Sequence, residues 1–158
     1  AAFPPASHLV YVGDREGTVH VLGQDGATVM VLTPAADCAA PEAGDHRPAP
    51  DMPVVAILPV GKTLWCLAGT DLVVYDTAAR HCVVHHTEVP GGERASALDG
   101  RGGMVAVSGT NVDLFCASSY THLARLHTAS RAPVWACFSA SHTATHNRKD
   151  LLLWISYQ

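Results

Sequence analysis

Charge is scarce in this chain and neither sign dominates: Asp, Glu, Lys and Arg make up 15% of the 158 residues, and the net charge is −4 with neutral histidine. That balance excludes a global basic field able to draw the chain to nucleic acid or to an anionic lipid surface. Long apolar runs are missing too. None approaches the roughly eighteen residues that a membrane-crossing helix needs, so no direct membrane insertion is expected. The five cysteines, Cys38, Cys66, Cys82, Cys116 and Cys137, contain no C-x-x-C pair. Their odd count and irregular spacing point away from a disulfide framework. Cys66, Cys116 and Cys137 lie in apolar runs, where a free thiol behaves as a small hydrophobe. A reducing, cytoplasmic setting is the expectation. The opening Ala1–Ala2–Phe3–Pro4–Pro5 has no initiator Met, basic segment or apolar helix. It reads as the edge of a fragment rather than as a signal peptide.

What the chain does have is a repeated strand pattern. Thr63–Leu64–Trp65–Cys66–Leu67–Ala68–Gly69–Thr70 runs into Asp71–Leu72–Val73–Val74–Tyr75–Asp76. About forty residues later, Met104–Val105–Ala106–Val107–Ser108–Gly109–Thr110 runs into Asn111–Val112–Asp113–Leu114–Phe115–Cys116. An earlier copy reads Leu9–Val10–Tyr11–Val12–Gly13, then Asp14–Arg15–Glu16–Gly17, then Thr18–Val19–His20–Val21–Leu22. A period near forty with several short strands per unit marks β-propeller blades, and a single blade cannot bury its own faces.

The alternation and the turn residues between runs divide the chain. A partial blade over 8–33 has strands near 9–13, 18–22 and 28–32, with Gly17 free to take a positive φ. Residues 34–53, rich in Pro, Ala and acid and without periodicity, read as a long exposed inter-blade loop. A full blade over 54–88 has strands near 54–58, 64–68, 72–76 and 82–86. A second, over 94–128, has strands near 95–99, 104–108, 112–116 and 122–127. A further partial blade over 133–158 offers Val134–Phe138 and Leu151–Ile155 as its first two strands, with Ser139 to Asp150 as their hairpin loop. The chain thus opens on the second strand of one blade and closes after the second strand of another. These pieces do not close a ring by themselves, so more blades or another chain are expected to complete it.

The runs VYVGDREGTVHVL and LWCLAGTDLVVYDTAARHCVV resemble the WD40-like propeller family, and within it divergent members such as the C-terminal propellers of Rho guanine-nucleotide exchange factors and of Roco-group leucine-rich-repeat kinases. The resemblance covers most of the chain outside 34–53 and 139–150. Tyr75–Asp76 stands at the family's Trp-Asp position; Phe115–Cys116 keeps the aromatic and loses the acid, and Leu22–Gly23 loses both. The resemblance implies an all-β, WD40-like propeller of about three four-stranded antiparallel blades plus partial ones. It implies a non-catalytic scaffold for other proteins, or for domains of the same host chain, in a cytosolic signalling protein.

The candidate chemical constellations are weak, and no catalytic, cofactor-binding or metal-binding residue is assigned. His81, Cys82, His85 and His86 form the densest set of potential metal ligands. On one strand, however, His85 and His86 point to opposite faces, so they read as solvent-facing or interface histidines, as does His127. His142 and His146 are four apart in a stretch without a helical stripe. Ser108 sits where the other copy has Ala68, not at a G-x-S-x-G elbow. Trp65 and Trp135 read as core; Trp154 and Tyr157 are either core or exposed. Arg80, Arg94, Arg101, Arg125 and Arg131 fall at turns, and none is assigned a site. Two other readings stand beside the scaffold. One is a ligand-binding or enzymatic propeller with a central-channel site, for which the innermost strands offer only Asp99. The other is a structural module that homodimerises.

Overall fold

The computed structural model describes residues 9–37, 52–92, 95–128, 133–142 and 149–157. The chain divides into two compact units, Ala1–Glu88 and Val89–Gln158.

In the first unit, β1 (Val10–Gly13), β2 (Val19–Leu22) and β3 (Thr28–Leu32) form a three-stranded antiparallel sheet in sequence order. Asp14 and Gly17 shape the β1–β2 turn, with Gly17 at φ 86°. One helical turn, α1 (Pro34–Asp37), follows β3. This differs from the loop expected from Pro34 onward. Thr33 caps the turn through its carbonyl, which accepts from the Asp37 amide at 2.8 Å, while Asp37 Oδ2 accepts from the Thr33 amide at 3.1 Å. Proline at the first helical position loses no hydrogen bond. The rest of the 34–53 stretch lies almost wholly outside the described residues.

The second sheet pairs β4 (Val54–Val60), β5 (Thr63–Ala68), β6 (Asp71–Asp76) and β7 (Cys82–Glu88) in that order. Its register sets Leu64 opposite Tyr75 and Cys66 opposite Val73. These four side chains meet Val19, Val21 and Leu32 of the first sheet in one apolar cluster. Each fully buried aliphatic or aromatic side chain contributes about 1.5–3 kcal/mol by leaving water. The stacking of the two sheets therefore holds the unit together.

In the second unit, β8 (Ala97–Arg101), β9 (Met104–Ser108), β10 (Val112–Cys116) and β11 (His122–Leu126) repeat the four-stranded plan. A 3₁₀ turn at Pro90–Gly92 precedes them. The fourth sheet is a long hairpin of β12 (Pro133–His142) and β13 (Lys149–Tyr157). Ala136 and Phe138 pack against Ala106 and Val112 of the third sheet. Both hairpin strands reach further than their apolar cores suggested. The ladder continues through Ser139, Ala140 and Ser141 to His142 opposite Lys149, taking polar residues that alternation alone assigned to the loop.

Candidate functional site

In each four-stranded sheet the turn joining second and third strands lies at one end, and the other two turns lie at the opposite end. Paired charges stand at the first of these ends in both four-stranded sheets, and at the β1–β2 turn of the three-stranded one. In the β1–β2 turn, Asp14 Oδ1 accepts from the Glu16 and Thr18 amides, both at 2.9 Å. Its Oδ2 accepts from the Thr18 hydroxyl and lies 3.1 Å from His20 Nε2. The Thr18 hydroxyl and amide hold this carboxyl well below the usual carboxylate range. In the second sheet Asp71, opening β6, lies 2.9 Å from His86 Nε2. In the third sheet Asp113 is 2% exposed. It accepts from Arg125 Nε and Nη2, each at 3.0 Å, and lies 2.8 Å from His122 Nε2. Arg125 also donates to the Pro90 carbonyl, which ties the approach to β8 onto the sheet.

At this end of the first unit the turns are closely packed. A Cβ on Gly17 would stand 2.5 Å from the Met52 carbonyl oxygen, and one on Gly69 would strike the Met52 sulfur. Gly17→Ala therefore combines an unfavourable positive φ with a backbone clash. It is expected to cost at least ~2 kcal/mol, a fall in melting temperature of roughly 4–8 °C by calorimetry.

The histidine-rich segment divides by environment. His81, in the turn after β6 at φ 58°, is buried rather than solvent-facing. Its Nε2 lies 3.1 Å from the Tyr11 hydroxyl, and the rings are 5.7 Å apart. Desolvation lowers its pKa. Cys82 and His86 are exposed and His85 half-buried on β7. Among the described residues, no group of three or more His, Cys, Asp or Glu is placed to hold a metal ion. His127 is exposed. The side chain of His142, and all of His146, Arg94 and Arg131, fall outside the described residues.

Tyr75 and Asp76, at the Trp-Asp position, serve separate ends. The Tyr75 hydroxyl donates to Asp37 Oδ2 at 2.8 Å, pinning α1 to β6. Asp76 Oδ1 accepts from the Ala78 and Ala79 amides and shapes the β6–β7 turn. Trp65 is fully buried, its indole donating to Thr63 Oγ1 at 3.1 Å. Asp99 Oδ2 accepts from the Phe138 amide at 2.6 Å, joining the third sheet to the hairpin. That carboxylate, the one offered for a central-channel site, is engaged in a structural bond. Ser108 is buried in β9.

Sequence reasoning missed Cys116. It ends β10 with its Sγ 3.3 Å from Ser118 Oγ. Hydrogen bonds from the Ser118 and Ser119 hydroxyls, and from their amides, lower its pKa to about 6. Burial, with the Asp37 charge adding, pushes Cys66 up to about 12. Because the thiolate is the nucleophile, Cys116 is expected to alkylate with iodoacetamide at pH 7 far faster than Cys66. Its rate should fall as pH drops through about 6. Peptide mapping of alkylated chains at several pH values checks both statements.

Several solved structures share this arrangement of stacked antiparallel sheets. The chain superposes on Sqt1 of Saccharomyces cerevisiae with a TM-score of 0.75 and 14% identity, over 94% of this chain and 38% of that one. The WD40 domain of Neurospora crassa Pan2 gives 0.64 and 16%, over 87% and 40%. The fold is that of a WD40-like β-propeller. A chain of the mitotic checkpoint complex, at 0.62 and 10%, is covered over 46% of its length and covers 96% of this one. The propeller segment thus spans less than half of each of these chains. No protein-family model and no curated protein matches the sequence. No helix among the described residues is long and apolar enough to cross a membrane.

Proposed function

We propose that this chain is a non-catalytic protein-interaction scaffold, part of a WD40-like propeller in a cytosolic signalling protein of the exchange-factor or Roco-kinase kind. The blades are residues 8–33, 54–88, 94–128 and 133–158, and 34–53 links the first two. The observation that carries the reading is the bracing of one sheet end. Asp14, Asp71 and Asp113 are each engaged by side chains of their own sheet. Carboxylates engaged in this way brace the sheet ends that carry them. The turn side chains beside them are thereby held in fixed positions, which lowers the ordering cost of binding a partner. The likeness to a chain of the mitotic checkpoint complex, itself an assembly, is consistent with that role.

Affinity capture from cytosol, quantified for two variants, tests the proposal. Arg15→Ala with Glu16→Ala alters the braced end, and Lys62→Ala with Arg80→Ala alters the opposite one. A partner set lost with the first pair and kept with the second is expected. Partner sets indifferent to both pairs would contradict it.

A further inference from the structure

The turn between β6 and β7 is held partly by its own residues and partly by the neighbouring sheet. Asp76 closes the first half: its Oδ1 accepts from the Ala78 and Ala79 amides, and its carbonyl accepts from the His81 amide at 2.9 Å. The second half bends through Arg80 and His81, at φ 53° and 58°. Two successive residues with side chains are disfavoured in this left-handed region, and such a conformation persists only where the surroundings over-determine it. Arg80 is exposed, whereas His81 is 4% exposed. The His81 ring Nε2 lies 3.1 Å from the Tyr11 hydroxyl of β1, with the rings 5.7 Å apart. This contact spans 70 positions of sequence. It ties a turn of the second sheet to a strand of the first.

The tie is conditional because its buried member titrates. Histidine is the side chain whose ordinary pKa puts its charge change in the physiological range. The groups around this ring do not favour its two forms equally. Asp76, ending β6, favours the cation. Tyr11, from β1, presents a phenol whose own pKa is raised by burial and by Cys66 of β5, so it stays neutral. Arg80, just before the ring, carries a charge of the same sign as the imidazolium, and Cys82, just after it, is exposed. Removal from water outweighs the pull of Asp76, so the seated ring takes up a proton less readily than a free one. A ring released into solvent has the ordinary affinity.

We propose that His81 is a pH-operated latch between the first two sheets, seated against Tyr11 when neutral and unseated when protonated, so that mild acid frees the β6–β7 turn from β1. The sign follows from linkage. The unseated ring binds protons more tightly, so it gains over the seated one once the pH falls below about 6.5. The latch is therefore fully closed above that pH and opens progressively as acid is added. Opening begins at Arg80 and His81, where the backbone is least favourable. The Asp76 bonds to Ala78 and Ala79 do not involve the ring and keep the first half of the turn closed. The inference goes beyond the scaffold reading. It gives the chain a response to acid at the sheet end opposite the Asp71–His86 pair, whichever partner the braced end engages.

Residue-resolved NMR from about pH 7.5 to about pH 5, on the parent chain and on His81→Asn, tests it. Asparagine tolerates the left-handed backbone and does not titrate. In the parent, the His81 imidazole is expected to titrate below its ordinary 6.5. Exchange protection of the His81 and Cys82 amides, corrected for intrinsic exchange at each pH, should fall by up to roughly tenfold per pH unit over the same range. Amides of β5 and β6 should keep their protection, which separates unlatching from general unfolding. His81→Asn should show weaker turn protection at neutral pH and no such fall on acidification. His85 and His86 remain in both chains, so a fall that they caused would persist in the variant. A ring that titrates at or above 6.5, turn protection that stays constant while the ring titrates, or an equal fall in His81→Asn would each overturn the inference. The first two readings come from the parent alone, so they decide the matter even where the variant does not fold.

Discussion

Arg125→Met is expected to destabilise the chain by about 3 kcal/mol, and adding Asp113→Val is expected to restore most of that loss. Asp113 is almost wholly removed from water and receives two hydrogen bonds from one guanidinium. Taking away the cation leaves a buried carboxylate with His122 as its remaining side-chain partner, and breaking a buried pair from one side costs about 3–5 kcal/mol. The lower end of that range applies because the His122 contact survives. Register shows why the double change recovers: Asp113 pairs with Val107 and Arg125, where the second sheet pairs Val73 with Cys66 and His86. An apolar residue already fills this position in the repeat. Replacing a whole buried pair by packed apolar groups is often neutral. Urea unfolding of the three proteins measures the effect. A single substitution costing under about 1 kcal/mol would show that the pair contributes nothing net.

Trp65→Ala should cost about 3–5 kcal/mol, while Trp154→Ala in dilute solution should change stability by no more than about 0.5 kcal/mol. The two tryptophans share a sequence context and a strand position, so local propensity cannot separate them. Burial does. Removing Trp65 opens a cavity on a sheet face whose other residues, Leu67, Leu72 and Val74, are all fully buried. Removing Trp154 exposes little that water does not already reach. Since domains are stable by only about 5–15 kcal/mol, Trp65→Ala alone brings the chain close to unfolding. Equal effects at the two positions would mean that the fourth sheet is covered as fully as the second.

Much of the fold was legible in the sequence because strands here alternate cleanly and turns carry glycine or aspartate. The runs at 9–13, 64–68, 72–76 and 104–108 lie on observed strands, and Trp65 is in the core as read. Legibility failed where tertiary contacts outweighed local pattern. Ser139–Ala140–Ser141 has no strand signature and is extended because it pairs in the ladder with Leu152, Leu151 and Asp150. The helical turn at Pro34–Asp37 was hidden in a Pro- and Ala-rich stretch, although Thr33–Pro34 is a capping signal. His81 became a buried contact for Tyr11 because a turn with two successive positive φ residues, Arg80 and His81, folds it inward. The Asp–His and Asp–Arg pairs were not found. Their members are 6 to 15 residues apart, and only the strand register brings them together. No substrate or partner was legible either, since braced turns keep no recognisable motif.

The central claim is that this chain is a series of antiparallel blades in a fixed strand order. Amide hydrogen exchange resolved by residue tests it most directly. Protection is expected to be greatest in β5, β6, β9 and β10, the inner strands of the two four-stranded sheets. It should fall in the sheet-edge strands β7 and β11, and at the β1 amides on the open edge of the first sheet. Equal protection across β5 and β7, or rapid exchange throughout β9 and β10, would contradict the propeller arrangement.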